Sequence, residues 1–361
     1  MSVWRPYTAM VVVPTGIGAA IGGYAGDALP VVKAIAQVAD RVITHPNVLN
    51  GASLYWPTCN TFYVEGYGLD QFAAGVWGLR PVHQNRIGLL LDAGIEPELR
   101  LRHVQVADAA RATLGLTLTE YVVTDAPLHV SLRTASSGAT WGTIEHPDSL
   151  LRAAEKLIHQ AGAEAIAVVA RFPDDTGSEA LQNYRHGQGV DPLAGAEAVI
   201  SHLVVRTFRL PCAHAPALSP LPLDPHLSPK SAAEELGYTF LPCVLVGLSR
   251  APQFVTQPPT QPTDIWSDQV DALVVPASAC GGSAVLSLSQ QARTQIITVR
   301  NNTTRMAVTA QQLGITAIAV ESYLEALGVM VAHKAGLSPA ALEPAIAPLQ
   351  PLPGSETKPF G

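Results

Sequence analysis

Residues 10–27 read MVVVPTGIGAAIGGYAGD, and this stretch decides the fold. The β-branched run Met10–Pro14 is typical of a buried strand, and a glycine-rich loop follows it directly. The residues after the loop predict a helix from about Asp27 to Ala39. A buried strand, a loop and a helix in this order form the repeating unit of a parallel sheet.

The same order recurs along the chain. Apolar runs of strand length end in polar or glycine-containing loops, and helices follow several of them. These runs lie at Arg41–Thr44, Ile87–Leu91, Tyr121–Thr124, Ala165–Ala170, Ala272–Val275, Ile296–Val299 and Ile315–Val320. We therefore predict an α/β fold, with a mainly parallel sheet covered by helices on both faces. Such a fold is three-layered and Rossmann-like, and it can form two lobes with a cleft.

The chain is long enough for two lobes. We predict an N-terminal α/β lobe over residues 1–140 and a C-terminal α/β lobe over 141–347, with a loose tail at 348–361. The C-terminal lobe carries proline-rich excursions at Pro216–Pro229 and Pro252–Pro262. The boundary region, Ala135–Pro147, contains Ser-Ser-Gly, which is equally compatible with a β-hairpin.

The composition limits the class of protein and the kinds of binding partner that are expected. Apolar residues make up 48% of the 361 and charged residues only 14%, which indicates a globular chain with a large core. The net charge of −7 and the lack of a basic run argue against nucleic acid and against a membrane as partners. The N-terminal segment lacks the features of a secretory signal, and the four dispersed cysteines are expected to be free thiols. These features predict a cytoplasmic protein, and a homo-oligomer is compatible with them.

The glycine-rich loop is the first candidate binding site. Backbone N–H groups near a helix N-terminus attract anions, and glycine lets a ligand approach them. We expect a phosphate or carboxylate to be bound by Gly16, Gly18, Gly22 and Gly23. The loop matches neither a P-loop nor the dinucleotide fingerprint, which favours a hydrolase or transferase over an oxidoreductase. The alternative is a glycine-rich turn that packs tightly against a neighbouring segment.

A second strand-to-helix loop covers Ser278–Ser283. Its small residues predict further anion contacts from Ser278, Gly281 and Ser283. Cys280 would have a lowered pKa if it were exposed near a helix N-terminus, and it is a candidate nucleophile or acid/base. The alternative is a small buried cysteine.

Polar residues that follow other predicted strands complete the candidate site. His45 and Asp174 are candidate catalytic residues, while Arg300 and Asn301 are candidate substrate ligands. Each of them is also compatible with a cap or turn. Cys212 and His214 alternate on an extended segment, so they form a nucleophile and its base, two ligands of a metal, or a buried cysteine beside a loop histidine. The sequence identifies no metal site and no cofactor.

One short motif suggests a different chemistry. Thr58-Cys59-Asn60-Thr61 resembles the Cys-Asn-Thr signature of cofactor-independent aspartate/glutamate racemases, in which two cysteines act as opposed acid and base. The resemblance implies that Cys280 is the partner of Cys59. A proline, Pro57, precedes the motif here, whereas the racemase motif follows a buried strand.

Several longer stretches carry a broader resemblance. They include VVVPTGIGAAIGGYAGDALP at 11–30, ITHPNVLNGASLYWP at 43–57, GVDPLAGAEAVISH at 189–202 and AAEELGYTFLPCVLVGLSRAP at 232–252. The chain resembles a domain-of-unknown-function family of cyanobacteria and plastid-bearing organisms, from about Met10 to Val320. The resemblance implies a housekeeping or metabolic role in photosynthetic cells, and no catalytic residue comes with it.

The functional expectation is an enzyme that acts on a small phosphorylated or carboxylated metabolite at the carboxyl edge of the sheet. A hydrolase or transferase fits the glycine-rich loop best. The first alternative is a non-catalytic protein that binds or senses a small anionic metabolite through the same loop. The second alternative is the two-cysteine racemase.

Overall fold

The computed structural model describes residues 5–50, 54–174, 177–237, 240–256 and 261–351. It confirms the predicted α/β fold, with parallel sheets flanked by helices. The strands are β1 (Thr8–Val11), β2 (Arg41–Thr44), β3 (Thr61–Tyr63), β4 (Trp77–Arg80), β5 (Ile87–Leu91), β6 (Leu118–Val123), β7 (Val130–Thr134), β8 (Thr140–Ile144), β9 (Ala165–Arg171), β10 (Cys212–Ala217), β11 (Gln253–Thr256), β12 (Val270–Pro276), β13 (Gln295–Val299) and β14 (Ile318–Val320).

Helices connect most of these strands. They are α1 (Leu29–Val38), α2 (Pro46–Leu49), α3 (Gly66–Ala73), α4 (Pro97–Leu114), α5 (Pro147–Ala161), α6 (Glu179–Arg185), α7 (Ala194–Phe208), α8 (Pro229–Glu235), α9 (Leu241–Ser249), α10 (Ser283–Ser289) and α11 (Tyr323–Lys334). Short 3₁₀ helices cover Ser267–Gln269, Gln311–Leu313 and Pro339–Leu342. Proline at the start of α2, α4 and α5 suits the first helical turn, where an amide hydrogen has no partner within the helix.

Two parallel sheets form the centre of the molecule. The larger sheet has the strand order β14-β13-β12-β1-β2-β3, and the smaller has the order β10-β9-β5-β6. Their central strands are short, apolar runs that are buried on both faces, such as Ile87–Leu91 and Val270–Pro276. This explains why they read as continuous apolar segments rather than as alternating ones.

Two antiparallel strand pairs accompany the sheets. One pairs β4 with β11, which are distant in the sequence, and the other pairs the consecutive strands β7 and β8. The β7–β8 pair is a hairpin that turns within Ala135–Ala139, so the Ser-Ser-Gly of the predicted boundary region belongs to a hairpin. The loose tail predicted at 348–361 falls mostly outside the described residues, which end at 351.

The hydrophobic core runs through both sheets. One buried layer contains Val11 from the larger sheet and Leu91 from the smaller, and the opposite layer contains Met10 and Leu90. Neighbouring residues of a strand point to opposite faces, so each strand supplies both layers. The predicted boundary at residue 140 lies inside β8, and each sheet takes strands from both sides of it.

Candidate functional site

A pocket of about 1140 Å³ opens where the carboxyl ends of strands from both sheets come together. We call it the sheet-edge pocket. Its walls include His45 after β2, Ala279 after β12, Leu218 after β10, and the first turns of α3 and α7. Open α/β sheets bind ligands at this edge, because the loops there vary without disturbing the strands. Most of the wall is apolar, and titratable side chains lie among the apolar ones.

The first polar group is an ion pair between Glu65 and His202. Glu65 caps α3, where one carboxylate oxygen accepts the amide of Tyr67 at 2.8 Å. Its other oxygen lies 2.8 Å from Nδ1 of His202. Burial lowers the pKa of His202, but the hydrogen bond and charge of Glu65 outweigh it, so the pKa is raised overall. His202 therefore carries a proton more readily than an ordinary histidine, and its Nε2 is not used by this pair.

The second polar group lies beside the first. Ser201 Oγ lies 3.2 Å from Nδ1 of His214 and 3.4 Å from Oε1 of Glu65. His214 Nε2 in turn lies 3.6 Å from a carboxylate oxygen of Glu197. The five residues form one chain of titratable and hydroxyl groups, which we call the relay: Glu197, His214, Ser201, Glu65 and His202.

Local structure places the relay on one wall. Glu197 and Ser201 are four residues apart on α7, which puts them on one face of the helix, and His202 is the next residue. His214 lies on β10, which packs against α7. Glu65 comes from the loop that ends β3 and starts α3. The relay therefore joins segments that are more than 100 residues apart in the sequence.

A group of buried carboxyls lies next to the relay. Burial, followed by the charge of Glu197, raises the pKa of Asp191 to about 7. Burial and the charge of Asp191 also raise the pKa of Glu234 well above its usual range. The Tyr184 hydroxyl donates a hydrogen bond to the Glu234 carboxyl at 2.8 Å. These carboxyls keep their protons to higher pH than exposed ones do, so they can donate hydrogen bonds near neutral pH.

His45 contributes a neutral ring to the pocket wall. Its Nε2 accepts the backbone amide of Val13 at 3.2 Å, and the residue is buried. Burial lowers the pKa of His45 to about 4. At neutral pH the ring is therefore uncharged, and it serves the wall as a hydrogen-bond acceptor rather than as a cation.

Carboxyl groups outnumber fixed cations around the pocket. Among the described residues, two arginines line it, Arg102 and Arg185, and Arg185 is already paired with Glu235 at 2.7 Å. The acidic residues of the lining are Glu65, Asp70, Asp191, Glu197, Asp224, Glu234 and Glu235. This balance disfavours phosphorylated or carboxylated guests and favours neutral or positively charged ones.

The glycine-rich segment has another structure than the one that anion binding requires. Several of its amides are used by the protein: Gly22 donates to the carboxylate of Asp27, Ala25 donates to Glu234 at 2.6 Å, and Ile21 donates to Asn302 at 2.9 Å. Lys230 then pairs with Asp27 at 2.8 Å. The protein supplies its own acceptors to Ile21, Gly22 and Ala25, so these three amides are not free to bind an anion.

The four predicted glycines pack against neighbouring segments and lie outside the pocket lining. Gly22 has φ +90°, and a side chain there would lie 2.6 Å from a methyl carbon of Val13. Glycine is therefore required for a tight turn over the end of β1. A side chain at Gly16, Gly18 or Gly23 would also lie within 3.0 Å of neighbouring atoms of the protein.

The second predicted loop reaches the pocket in part. Gly281 and Ser283 line it, whereas Ser278 bonds the hydroxyl of Thr304 at 2.9 Å. Cys280 is fully buried and donates its thiol weakly to the Ala277 carbonyl at 3.6 Å. Burial raises the pKa of the Cys280 thiol, so it lacks the thiolate character that a nucleophile needs.

The remaining predicted residues, Asp174, Arg300 and Asn301, are not part of the pocket lining, although Asp174 accepts a hydrogen bond at 2.8 Å from the pocket residue Ser219. Asp174 is paired with Arg171 at 2.6 Å, and this hydrogen bond holds the pKa of Asp174 well below its usual range. A carboxylate so stabilised is a weak base. Arg300 is paired with Glu321, and the Asn301 amide donates to the carbonyl of the same glutamate at 3.0 Å. Of the three predicted catalytic residues, the structure brings only His45 to the pocket.

The two cysteines of the racemase hypothesis lie at opposite edges of one sheet. Cys59 is exposed and precedes β3, whereas Cys280 is buried and follows β12. These strands belong to the same parallel sheet, so the first residue lies at its amino edge and the second at its carboxyl edge. The opposed pair that the hypothesis requires is therefore absent between these residues.

His214 is the residue of the Cys212–His214 pair that reaches the pocket. Cys212 is buried in the core, and burial raises its pKa well above the usual value. No sequence pattern predicted a functional role for the other four relay residues, Glu65, Glu197, Ser201 and His202. The spacing of Glu197 and Ser201 on one helical face was visible, but only the fold brings that face to His214 and Glu65.

Comparison with known proteins assigns the chain to a family. The family described as "Protein of unknown function (DUF3326)" matches residues 8–343. The chain belongs to this family. It is 62% identical over 340 residues to an uncharacterised lipoprotein of the cyanobacterium Synechococcus sp., with 94% of each chain covered. This agrees with the resemblance seen in the sequence. No solved structure matches the chain significantly.

The relative also corrects the predicted location. Its name places it among the lipoproteins, proteins that an attached lipid holds at a membrane. For the relative this name points to a membrane-anchored location, and it contradicts the prediction of a cytoplasmic protein. In the part of the DUF3326 chain that the structure describes, every helix is too short or insufficiently apolar to cross a bilayer.

Proposed function

We propose that this DUF3326 protein is an enzyme that performs general acid–base chemistry on a small molecule in the sheet-edge pocket. The observation that carries the proposal is the relay, which joins two histidines and two glutamates through Ser201 on the pocket wall. Convergent titratable groups in a large concave pocket are typical of catalytic sites. The reaction class remains hydrolysis or group transfer.

The relay offers a proton donor and a proton acceptor. Glu65 raises the pKa of His202, and His202 would donate a proton from Nε2. The Glu197–His214 pair would accept one, since the 3.6 Å between the carboxylate and Nε2 leaves both groups able to contact a guest. Ser201 connects the two sides, so a proton taken up at His214 can be returned through its hydroxyl.

The lining indicates the kind of substrate. The apolar wall, which includes Leu99, Leu181 and Val285, would bury a hydrocarbon or aromatic body. The carboxyl groups would bind hydroxyl or amino groups on that body. We therefore propose a neutral or positively charged substrate in place of the phosphorylated or carboxylated metabolite expected from the sequence.

Incubation with a mixture of cellular metabolites, followed by mass spectrometry over time, tests this proposal. We expect the wild-type protein to deplete one or more neutral or cationic compounds. His202→Asn and Glu197→Gln should slow that depletion by at least about a hundredfold, the usual contribution of a general acid or base. His83→Asn, at an exposed histidine outside the pocket, is the matched control.

Equal depletion by wild-type and relay variants would contradict the assignment of the relay. Compounds that bind without being converted would overturn the enzyme proposal and favour the non-catalytic binding protein. Depletion confined to phosphorylated or carboxylated compounds would overturn the proposed substrate class.

A further inference from the structure

A second group of chemically active side chains lies away from the sheet-edge pocket, at the open end of the β7–β8 hairpin. His129 immediately precedes β7, and Glu145 and His146 immediately follow β8. One ligand atom from each residue lies within 4.8 Å of the other two. His129 and Glu145 are exposed and His146 is half-buried, so solutes can reach all three.

The backbone holds these residues in place. The Leu128 carbonyl accepts the amide of Glu145 at 2.9 Å and that of His146 at 3.4 Å. Leu128 is itself fully buried, and its amide donates to Asp92 at 2.9 Å. The cluster is therefore anchored to the core, although its side chains face solvent.

His129 adopts an uncommon backbone conformation. Its φ of +47° lies in the left-handed region, which costs a non-glycine residue roughly 1–3 kcal/mol. The conformation directs the ring toward His146, with the ring centroids 5.8 Å apart. Among the described residues, neither ring has a hydrogen-bond partner. Both rings are therefore available to an external ligand.

We propose that His129, Glu145 and His146 bind one divalent transition-metal ion of the zinc class. Two imidazoles and one carboxylate form a ligand set that zinc uses when one coordination position stays open. Tetrahedral zinc places its ligand atoms about 3.3 Å apart, given bonds of about 2.0–2.1 Å. The exposed side chains reach that spacing from 4.8 Å by small rotations, and water or a further ligand completes the shell.

The bound ion would brace the base of the hairpin. Gly142 on β8 packs against Ala196 of α7, the helix that carries three residues of the relay. Closing the open end of the hairpin would therefore stiffen the support behind the wall of the sheet-edge pocket. The metal site stands on its own residues and does not depend on the proposed enzyme activity.

Calorimetric titration of the chelator-treated, full-length protein with zinc chloride tests the site. We expect one equivalent of zinc to bind the wild-type chain. His146→Asn and Glu145→Gln should weaken binding by at least about tenfold, as loss of metal-site residues commonly does. Cobalt(II) should give visible absorption bands with the wild-type chain, and His146→Asn should remove them.

His83→Asn, which changes an exposed histidine outside the cluster, is the matched control and should bind zinc like the wild type. Circular dichroism will show that each variant is folded, and Glu145→Gln preserves the size of the side chain. Absence of zinc binding by the wild-type chain would overturn the proposal. Unchanged affinity in both His146→Asn and Glu145→Gln would do so as well, because the ion would then bind elsewhere.

Discussion

His45 makes the stability of the protein depend on pH. In the folded chain its pKa is lowered to about 4, whereas the unfolded histidine has its ordinary value of 6.5. The unfolded state therefore takes up a proton first as the pH falls, and the stabilisation is lost between about 6.5 and 4. The full effect is on the order of 3 kcal/mol in the free energy of unfolding. His45→Gln, which retains an acceptor for the Val13 amide, should lose less stability over this range.

Urea unfolding at pH 7.5, 6, 5 and 4.5 measures the difference. Asp191 has the opposite effect on the pH dependence of stability. Because its pKa is raised in the folded protein, it contributes stability at low pH, and this contribution is lost as the pH rises toward 7. The His45 effect is therefore the difference between wild type and variant at each pH, rather than the slope of the wild type alone. Parallel curves for the two proteins would show that the burial of His45 does not control its protonation.

The location of a single residue in the fold was predictable only where the order of strands and loops along the chain determines it. His45 follows a strand, and a parallel sheet carries such a residue to its carboxyl edge. Asp174 and Arg300 also follow strands, but Arg171 and Glu321 pair with them. The sequence shows that these charges exist, but it does not show which partner satisfies them.

In the first turn of helix α7, the backbone at Gly195 packs closely against the β7–β8 hairpin. A side chain at Gly195 would lie 2.2 Å from the Thr140 carbonyl oxygen and 2.3 Å from the Trp141 Cα. Backbone atoms cannot move aside cheaply, so Gly195→Ala should destabilise the protein by about 2 kcal/mol or more. The displaced helix would also move Glu197 away from His214, so the proposed acid–base activity should fall as well.

Gly328→Ala is the matched control for this substitution. Gly328 lies within α11, and a side chain there would meet nothing within 4 Å. Alanine favours a helix over glycine, so this variant should be more stable by about 0.5–1 kcal/mol. Thermal unfolding of both variants checks the pair. A Gly195→Ala protein as stable as Gly328→Ala would refute the close packing of α7 on the hairpin.

Secondary structure was more predictable than the site because its signals are local. The apolar runs at Arg41–Thr44 and Ala165–Ala170 are strands, and the hairpin at Ala135–Ala139 agrees with one of the two interpretations of that region. The glycine-rich segment was harder. Its acceptors, Glu234 and Asn302, come from about 210 and 280 residues away. A local pattern therefore showed amide groups that looked available, and the fold uses them.

The arrangement of the core decides how the whole chain unfolds. Sequence alone suggested two consecutive lobes, which would each bury their own core and melt separately. In the structure both buried layers contain strands of both sheets, and each sheet contains strands from both halves of the chain. Loss of one sheet would expose the apolar face of the other, so neither is expected to persist alone.

We therefore expect one cooperative thermal transition. Far-UV circular dichroism reports the helices and sheets, while tryptophan fluorescence reports the buried Trp77 and Trp266 on the wall formed by β4 and its neighbours. The two signals should share one midpoint, and the calorimetric enthalpy should equal the van't Hoff enthalpy. Two separate midpoints, or a van't Hoff enthalpy well below the calorimetric one, would mean that the halves unfold independently. In that case the contacts between Glu65 and His202 and between Ser201 and His214 would be less stable than the two sheets. The relay would then be disrupted before either sheet unfolds.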